Sequence, residues 1–286
     1  MTMHGFNQIG VLGAGQMGSG IAQVCATAGL PVILVDVSAS TLEKAQSTIG
    51  KSLEKLASKN LLGRDSAAQI AGRIRTSTEI SAFEPVDLVI EAVSENESLK
   101  AKLLCEIDLL LPPTVLFATN TSSIPITRLA AATERPDRVI GMHFMNPVPL
   151  MKLVEVIPGM ATAEATTQRI LALCAALGKE VSRSQDYPGF VVNRILMPMI
   201  NEAFNALMEG VASAVDIDKG MKLGTNQPMG PLQLADFIGL DTCLAIMEVI
   251  HAGLGDPRYR PSPLLKKYVE AGYFGRKARR GVFQYD

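Results

Sequence analysis

Residues 9–18 read Ile9-Gly10-Val11-Leu12-Gly13-Ala14-Gly15-Gln16-Met17-Gly18, and this stretch decides the fold. An apolar run typical of a buried strand leads into glycines spaced G-x-G-x-x-G, and a helix is predicted from Gln16 to Ala28. In such a unit Gly13 makes the tight turn, Gly15 lets the backbone approach a pyrophosphate, and Gly18 lets the helix pack on the strand. The next apolar run ends at Asp36, whose carboxylate can accept hydrogen bonds from ribose hydroxyls. The pattern therefore predicts a dinucleotide site at a helix N-terminus.

Short apolar runs in the first half of the chain alternate with longer segments of helical periodicity. The runs are Ile9–Leu12, Val32–Val35, Leu88–Val93, Val115–Thr119 and Val139–His143. This alternation is typical of a parallel sheet with helices on both faces. After the second run, apolar residues at helical spacing predict a helical hairpin over residues 41–59 and 65–73. Its outward face carries Lys44, Lys51, Lys55 and Lys59, which suits either a solvated surface or a phosphate site.

The strand pattern ends after Val156. A turn-rich segment, Ser182–Gly189, predicts a linker, and the segments beyond it are helical. We therefore expect a Rossmann-type α/β dinucleotide-binding domain over residues 1–185 and a second, all-α domain over residues 186–286.

Composition excludes several functional classes. With 27 basic and 28 acidic side chains, the chain lacks the basic excess of a nucleic-acid binder. No apolar run approaches the ~18 residues of a membrane helix, and no presequence pattern precedes Ile9, so we expect a cytoplasmic protein. Four dispersed cysteines predict reduced, buried thiols, and the three histidines lack the spacing of a metal site.

Two ionisable side chains stand out within apolar strand-like runs. His143 ends one run, and Glu155 is central in the next, where strand alternation would bury it or turn it toward a cleft. A short loop joins the runs, so the two side chains can be neighbours across strands. A carboxylate on one imidazole nitrogen fixes the tautomer and raises the basicity of the other nitrogen. By this reasoning alone the pair is either a catalytic dyad or a structural ion pair.

Polar groups also occur at two other positions that favour ligand binding. The run Asn120-Thr121-Ser122-Ser123 follows a predicted strand, at the sheet edge where open α/β folds bind ligands, although it could simply cap the next helix. Asn193 is an amide within a strongly apolar helix, and it should find a partner in the core or in a substrate.

Together these motifs resemble the L-3-hydroxyacyl-CoA dehydrogenase family, and the likeness runs from Ile9 to Tyr285. The matching strings are Gly13–Gly18, Glu91–Asn96, Asn120–Ser123, His143–Pro149, Pro188–Arg194 and Pro228–Pro231. The resemblance implies an NAD-dependent enzyme that interconverts a 3-hydroxyacyl-CoA and a 3-oxoacyl-CoA, with short chains such as 3-hydroxybutyryl-CoA expected. It also implies a homodimer formed through the all-α domain.

Specific roles follow from the same resemblance. It implies His143 as the general base, Glu155 as its orienting partner, and Ser122 and Asn193 as polar groups on the reacting oxygens of the substrate. Around NAD it implies contacts by residues of the glycine turn and of the sheet edge: Gly13, Gly15, Gln16, Met17, Gly18, Asp36, Glu95, Lys100, Asn120, Ser122 and Asn146. It places Ser52 and Lys59 of the hairpin near CoA. We expect NAD rather than NADP, because Asp36 would repel a 2′-phosphate.

The chain departs from the family pattern at two places. Gln227 stands where the family usually has histidine or tyrosine, which bears on acyl-chain preference. The tail from Gly275 to Phe283 has one glycine fewer than the family's Gly-Arg-Lys-x-Gly-x-Gly-Phe-Tyr, which bears on how the tail docks. Two alternative functions remain at this point: oxidation of a dicarboxylic substrate such as 3-hydroxyadipyl-CoA, and a catalytically silent NAD-binding structural protein.

Overall fold

The computed structural model describes residues 5–286, and the chain divides into two compact units. The first unit ends at Tyr187 and the second begins at Pro188. The division lies two residues beyond the boundary expected from the sequence. The first unit is an α/β layer structure and the second is helical, so the predicted fold class is confirmed.

An eight-stranded sheet organises the first unit, with strand order β3-β2-β1-β4-β5-β6-β7-β8. The strands are β1 Ile9–Leu12, β2 Val32–Val35, β3 Ile74–Ser77, β4 Leu88–Glu91, β5 Leu116–Thr119, β6 Val139–Phe144, β7 Leu153–Pro158 and β8 Glu180–Arg183. Neighbouring strands pair parallel except β6 and β7, which pair antiparallel. The order of the first six strands is that of dinucleotide-binding folds, whose ligands bind beyond the carboxyl ends of the strands.

Helices cover this sheet. They are α1 Gln16–Thr27, α2 Ala39–Ser58, α3 Ala67–Gly72, α4 Glu97–Leu110, α5 Ile126–Ala130 and α6 Glu164–Ala176. Helix α2 begins where the Ser38 side chain accepts a hydrogen bond from the Thr41 amide, and it buries a stripe of apolar side chains, Leu42, Ala45, Ile49 and Leu53. Helices α2 and α3 form the predicted hairpin.

Two strands, β3 and β8, were not predicted. Both lie at sheet edges, and their residues are mostly polar and only partly buried. An edge strand has one neighbour and is covered less completely, so it needs no continuous apolar run. The prediction that a linker begins at Ser182 is therefore wrong, because residues 182 and 183 belong to β8.

The second unit consists of five helices around one apolar core among the described residues. They are α7 Val192–Met208, α8 Ala214–Gly224, α9 Pro231–Ile238, α10 Leu240–Leu254 and α11 Pro263–Glu270. Within residues 5–286, no helix by itself is both long and apolar enough to cross a membrane, whereas α9 and α10 together meet that length and composition test across a 98° bend.

The C-terminal tail docks on the second unit through a buried carboxylate. Asp236 is 1% exposed and accepts hydrogen bonds from the amides of Val282 and Phe283 and from the Tyr285 hydroxyl. Arg279 takes the place of the family's missing glycine, and its φ of 56° lies in the left-handed region that favours glycine. The tail thus docks without this glycine, at the cost of backbone strain at one exposed residue.

The cysteines are less uniform than expected. Cys25, Cys174 and Cys243 are buried, and burial is the main cause that raises the pKa of each thiol to about 12. Cys105 is exposed on α4, so the expectation of four buried thiols is wrong for this residue. A helix of mixed polarity can present a small cysteine on its solvent face. Within residues 5–286 the His, Cys, Asp and Glu side chains form no group of three suited to a metal ion.

Candidate active site

The glycine turn follows β1 at the carboxyl edge of the sheet. Gly13 has a φ of 97°, and a Cβ there would lie 2.8 Å from the Ala92 carbonyl oxygen. A Cβ on Gly18 would lie 1.8 Å from the Gly13 carbonyl oxygen. Both glycines are therefore required by the fold itself, one for the turn and one for the close packing of α1.

Gly15 is different, because the fold does not require a glycine there. Its φ of −66° suits any residue, and a Cβ would meet no protein atom within 4 Å. The space that its missing side chain leaves lies at the N-terminus of α1, where no side chain caps the backbone amides and where Gln16 and Met17 begin the helix. Open space beside uncapped helical amides fits the pyrophosphate of a dinucleotide.

Asp36 follows β2 and is fixed beside this turn. Its Oδ2 accepts a hydrogen bond of 2.8 Å from the Ala14 amide, and its Oδ1 accepts one of 3.0 Å from the Ser38 amide. The two bonds hold the carboxylate in one orientation, while its half-buried position leaves the group reachable. A carboxylate at this point fits a ribose diol.

The antiparallel pairing of β6 and β7 places His143 directly opposite Glu155. The distance from His143 Nδ1 to Glu155 Oε2 is 2.8 Å, and the two side chains are 10% and 0% exposed. An ionised carboxylate at Nδ1 favours the tautomer with its proton on Nδ1, so the lone pair lies on Nε2. Nε2 is then the ring nitrogen that can accept a proton.

Glu95 organises the loop that carries Ser122. Its Oε1 accepts hydrogen bonds from the Thr121 hydroxyl at 2.6 Å, from the Ser122 amide at 2.9 Å and from the Ser123 amide at 3.1 Å. Burial by itself raises the pKa of Glu95, but the Lys100 ammonium and the hydrogen bonds from this loop outweigh it and hold the pKa below its ordinary value. An ionised Glu95 therefore fixes the loop at neutral pH.

A buried ion pair beside Glu95 has no counterpart among the features expected from the sequence. Lys100 Nζ lies 2.6 Å from Glu91 Oε1 and 3.4 Å from Glu95 Oε2, and Glu91 Oε2 accepts a 2.6 Å hydrogen bond from the Thr119 hydroxyl. The sequence feature that could have indicated this ion pair is Glu91, the acidic residue that ends the apolar strand β4. Lys100, expected near the cofactor, is 1% exposed and holds Glu91 and Glu95 in place.

Two asparagines tie neighbouring segments together near these groups. Asn120 Oδ1 accepts a 2.8 Å hydrogen bond from the Phe144 amide, which links the residue after β5 to the end of β6. Asn146 Oδ1 accepts a 3.0 Å bond from Gln16 Nε2, so the segment after β6 meets the start of α1. Asn193 lies in α7 of the second unit and is 9% exposed.

A cleft of about 730 Å³ lies within the first unit, between α1, α2 and residues 146–150. Its lining includes Ser52 and three lysines of α2, namely Lys44, Lys51 and Lys55, together with Lys59 at the C-cap of this helix, and it contains no carboxylate. Lysines four residues apart on a helix repel one another. A basic, carboxylate-free lining is suited to an anionic ligand such as a phosphate group.

Comparison with known proteins identifies the family. The 3-hydroxyacyl-CoA dehydrogenase NAD binding domain model matches residues 8–187, and the C-terminal domain model of the same family matches residues 189–285. The chain is 53% identical over 278 residues to a 3-hydroxybutyryl-CoA dehydrogenase of Bradyrhizobium diazoefficiens, covering 97% of this chain and 95% of that protein.

Other relatives agree. A 3-hydroxybutyryl-CoA dehydrogenase of Clostridioides difficile is 44% identical over 279 residues, covering 98% of this chain and 99% of that protein. The crystal structure of (S)-3-hydroxybutyryl-CoA dehydrogenase from Ralstonia eutropha is similar with a TM-score of 0.95 at 51% identity, covering 98% of this chain and 99% of that one. The chain therefore belongs to the 3-hydroxyacyl-CoA dehydrogenase family, with that family's NAD-binding and C-terminal domains in order.

Proposed function

We propose that the protein interconverts (S)-3-hydroxybutyryl-CoA and acetoacetyl-CoA with NAD as cofactor. The observation that carries the proposal is the buried pair of His143 and Glu155, joined at 2.8 Å. Relatives named for this activity match the chain over nearly its whole length. A catalytically silent NAD-binding protein would have no use for a base and an orienting carboxylate at this place.

His143 is the proton acceptor in this proposal. Nε2 takes the proton of the 3-hydroxyl group during oxidation and returns it during reduction, while the Glu155 carboxylate stabilises the imidazolium that forms. Bound NAD supplies the acceptor for the hydride from C3. Ser122, whose amide is fixed by Glu95, and Asn193 are proposed to bind the reacting oxygens.

The lysine-lined cleft is proposed to bind the CoA portion of the thioester. Phosphates carry most of the charge of CoA, and the four lysines and Ser52 line the cleft within the unit that also carries His143. Lys59, at the C-terminal end of α2, is the residue expected to fix a phosphate. Exposed lysines contribute modestly to binding, and their contribution falls with salt.

We also propose that the protein is a homodimer formed through its second unit. That unit exposes large apolar side chains, among them Ile195 at 68%, Val211 at 72% and Leu223 at 71%. Light scattering after gel filtration tests this: Ile195→Glu should yield monomers. Leu109→Glu, at a 79% exposed site in the first unit, should leave the dimer intact. A monomeric wild-type protein would refute the proposal.

The proposed reaction is tested by following NADH oxidation with acetoacetyl-CoA, and then with a series of longer and dicarboxylic 3-oxoacyl-CoA thioesters. We expect the highest kcat/KM with acetoacetyl-CoA and the (S)-3-hydroxy product. NADH binding without turnover of any thioester would favour a silent binding protein instead. A preference for 3-oxoadipyl-CoA would move the substrate to the dicarboxylic class.

A further inference from the structure

Helix α1 turns one face toward the cleft of the first unit. The residues on this face follow helical spacing: Gln16, Ser19, Gly20 and Gln23. The Ser19 hydroxyl is bonded to the Ala14 carbonyl at 2.9 Å, and Gly20 is packed against Val148, since a Cβ there would lie 2.8 Å from Val148 Cβ. Ser19 and Gly20 are therefore closely packed, and Gln23 is the last residue of this face.

Gln23 is an unusual side chain for this position. It is 2% exposed, and within residues 5–286 its Nε2 has no hydrogen-bond partner. Buried side-chain amides in folded proteins are almost always paired, because an unpaired one loses its hydration without compensation. Gln23 is one of the residues that line the cleft, so a ligand in the cleft can supply the missing partner once the side-chain amide turns toward it.

The position of Gln23 indicates which kind of ligand group it meets. The lysines of the cleft are exposed on α2 and at its C-cap, where their long side chains can contact charged phosphates. Gln23 is buried, and the cleft also has buried apolar lining at Ala45, Ile49 and Val148. A phosphate would lose its hydration at such a place, whereas a neutral amide needs only hydrogen bonds.

We propose that Gln23 binds a secondary amide of the pantetheine arm of the acyl-CoA substrate. The inference rests on the proposed function, since it takes CoA as the occupant of the cleft. A carboxamide both donates and accepts, and a half-turn about its last torsion exchanges Nε2 and Oε1. A secondary amide likewise offers one acceptor and one donor, so it can pair with Gln23 in either orientation.

The test is the variant Gln23→Met, which keeps the length of the side chain and removes its polar atoms. We expect KM for acetoacetyl-CoA and for acetoacetyl-pantetheine to rise about tenfold each, with kcat and KM for NADH within twofold of wild type. The increase should be equal at low and high salt, because the lost interaction is neutral. Tm should not fall, because the protein loses an unpaired buried amide rather than a hydrogen bond.

Control measurements separate this proposal from others. Gln46→Met, on α2 but outside the cleft lining, should leave every value unchanged. If Gln23→Met folds poorly, Gln23→Leu takes its place. Unchanged KM for both thioesters would overturn the proposal, and so would an increase confined to acetoacetyl-CoA, which would assign Gln23 to the nucleotide end. A lower Tm with unchanged KM in the folded protein would make Gln23 structural.

Measuring the affinity for CoA by calorimetry tests the role of Gln23 separately from the proposed reaction. If the wild-type protein fails to reduce acetoacetyl-CoA, the proposed function fails, whatever Gln23 does. A tenfold weaker affinity of Gln23→Met for CoA would still support the assignment of Gln23 to the cleft ligand. Equal affinity of the variant and the wild type for CoA would overturn it, even in an active enzyme.

Discussion

Charged side chains of the first unit occur in two contrasting regions, the carboxyl edge of the sheet and the outward face of α2. At the sheet edge, Glu91, Lys100 and Glu155 are at most 1% exposed, and each has an oppositely charged or ionisable partner within 2.8 Å. On α2 and at its C-cap, the four lysines of the cleft are exposed, and none of them forms an ion pair within residues 5–286.

The contrast shows two ways of building a polar site. Buried charges are positioned by the fold and must be paired, because the low-dielectric interior makes an unpaired charge costly. Exposed charges can remain unpaired at little cost, because water solvates them, and they are therefore available to a ligand. We expect substitutions at the sheet edge to have large effects that salt barely changes, and substitutions on α2 to have small, salt-dependent effects.

The largest effect should come from breaking the buried ion pair. Glu91→Gln leaves the Lys100 ammonium with the Val93 carbonyl oxygen at 3.2 Å and with one carboxylate among residues 5–286, Glu95, whose Oε2 is 3.4 Å away. We expect the free energy of unfolding in urea to fall by about 3 kcal/mol. The double variant Glu91→Met/Lys100→Met removes both charges and should be more stable than the single variant. If Glu91→Gln lowered the free energy of unfolding by less than about 1 kcal/mol, the expected difference between the two regions would be contradicted.

The next effect concerns the base. His143→Gln should lower kcat at least ~100-fold in both directions, the usual contribution of a positioned general base, with KM for NADH nearly unchanged. His251→Gln, in α10, is the matched control and should retain kcat. If His143 were only a core residue, its variant would melt at a lower temperature yet keep kcat in the folded fraction, as single-turnover rates would show.

The pH dependence of the wild-type enzyme tests the same residue. Oxidation needs neutral His143, so its rate should fall as the solution is made acidic. Reduction needs the imidazolium, so its rate should fall as the solution is made alkaline. Parallel pH profiles in the two directions would contradict the assignment of His143 as the proton carrier.

Asp36 lies between the two extremes, since it is half-buried and bonded to backbone amides. A 2′-phosphate beside its carboxylate would be repelled, so kcat/KM should be at least about tenfold lower with NADPH than with NADH. Asp36→Asn removes the charge and should bring the kcat/KM values for NADPH and NADH closer together. Comparable kcat/KM values for the two cofactors in the wild-type enzyme would defeat the prediction.

The smallest effect is expected on α2. Lys59→Ala should weaken thioester binding by about 1 kcal/mol, seen as a severalfold rise in KM that disappears at high salt. Lys102→Ala, on α4 and outside the cleft lining, is the control and should have no effect. A hundredfold loss of kcat with KM unchanged would mean that α2 takes part in the chemistry.

Several of the site's features could be predicted from the sequence because they depend on local chemistry. The glycine spacing of residues 13–18 predicts its turn and helix, since φ and Cβ constraints act on single residues. The hairpin, with its basic face, was predicted from helical periodicity alone. The family resemblance, confirmed by the comparisons, rests on short strings such as His143–Pro149 in a fixed order.

What the sequence by itself determined, then, is the fold class, the dinucleotide turn and the residue types available for chemistry. Only the tertiary structure decided which of these side chains are in contact. The sequence allows His143 and Glu155 to be neighbours, and the register of β6 and β7 places them directly opposite each other. The sequence did not indicate that the buried Lys100 ammonium lies between the Glu91 and Glu95 carboxylates. The unpaired amide of Gln23 likewise has no local signature, because its environment is formed by α1 and the cleft. Pairing and burial depend on contacts between residues distant in sequence, and periodicity carries no information about such contacts.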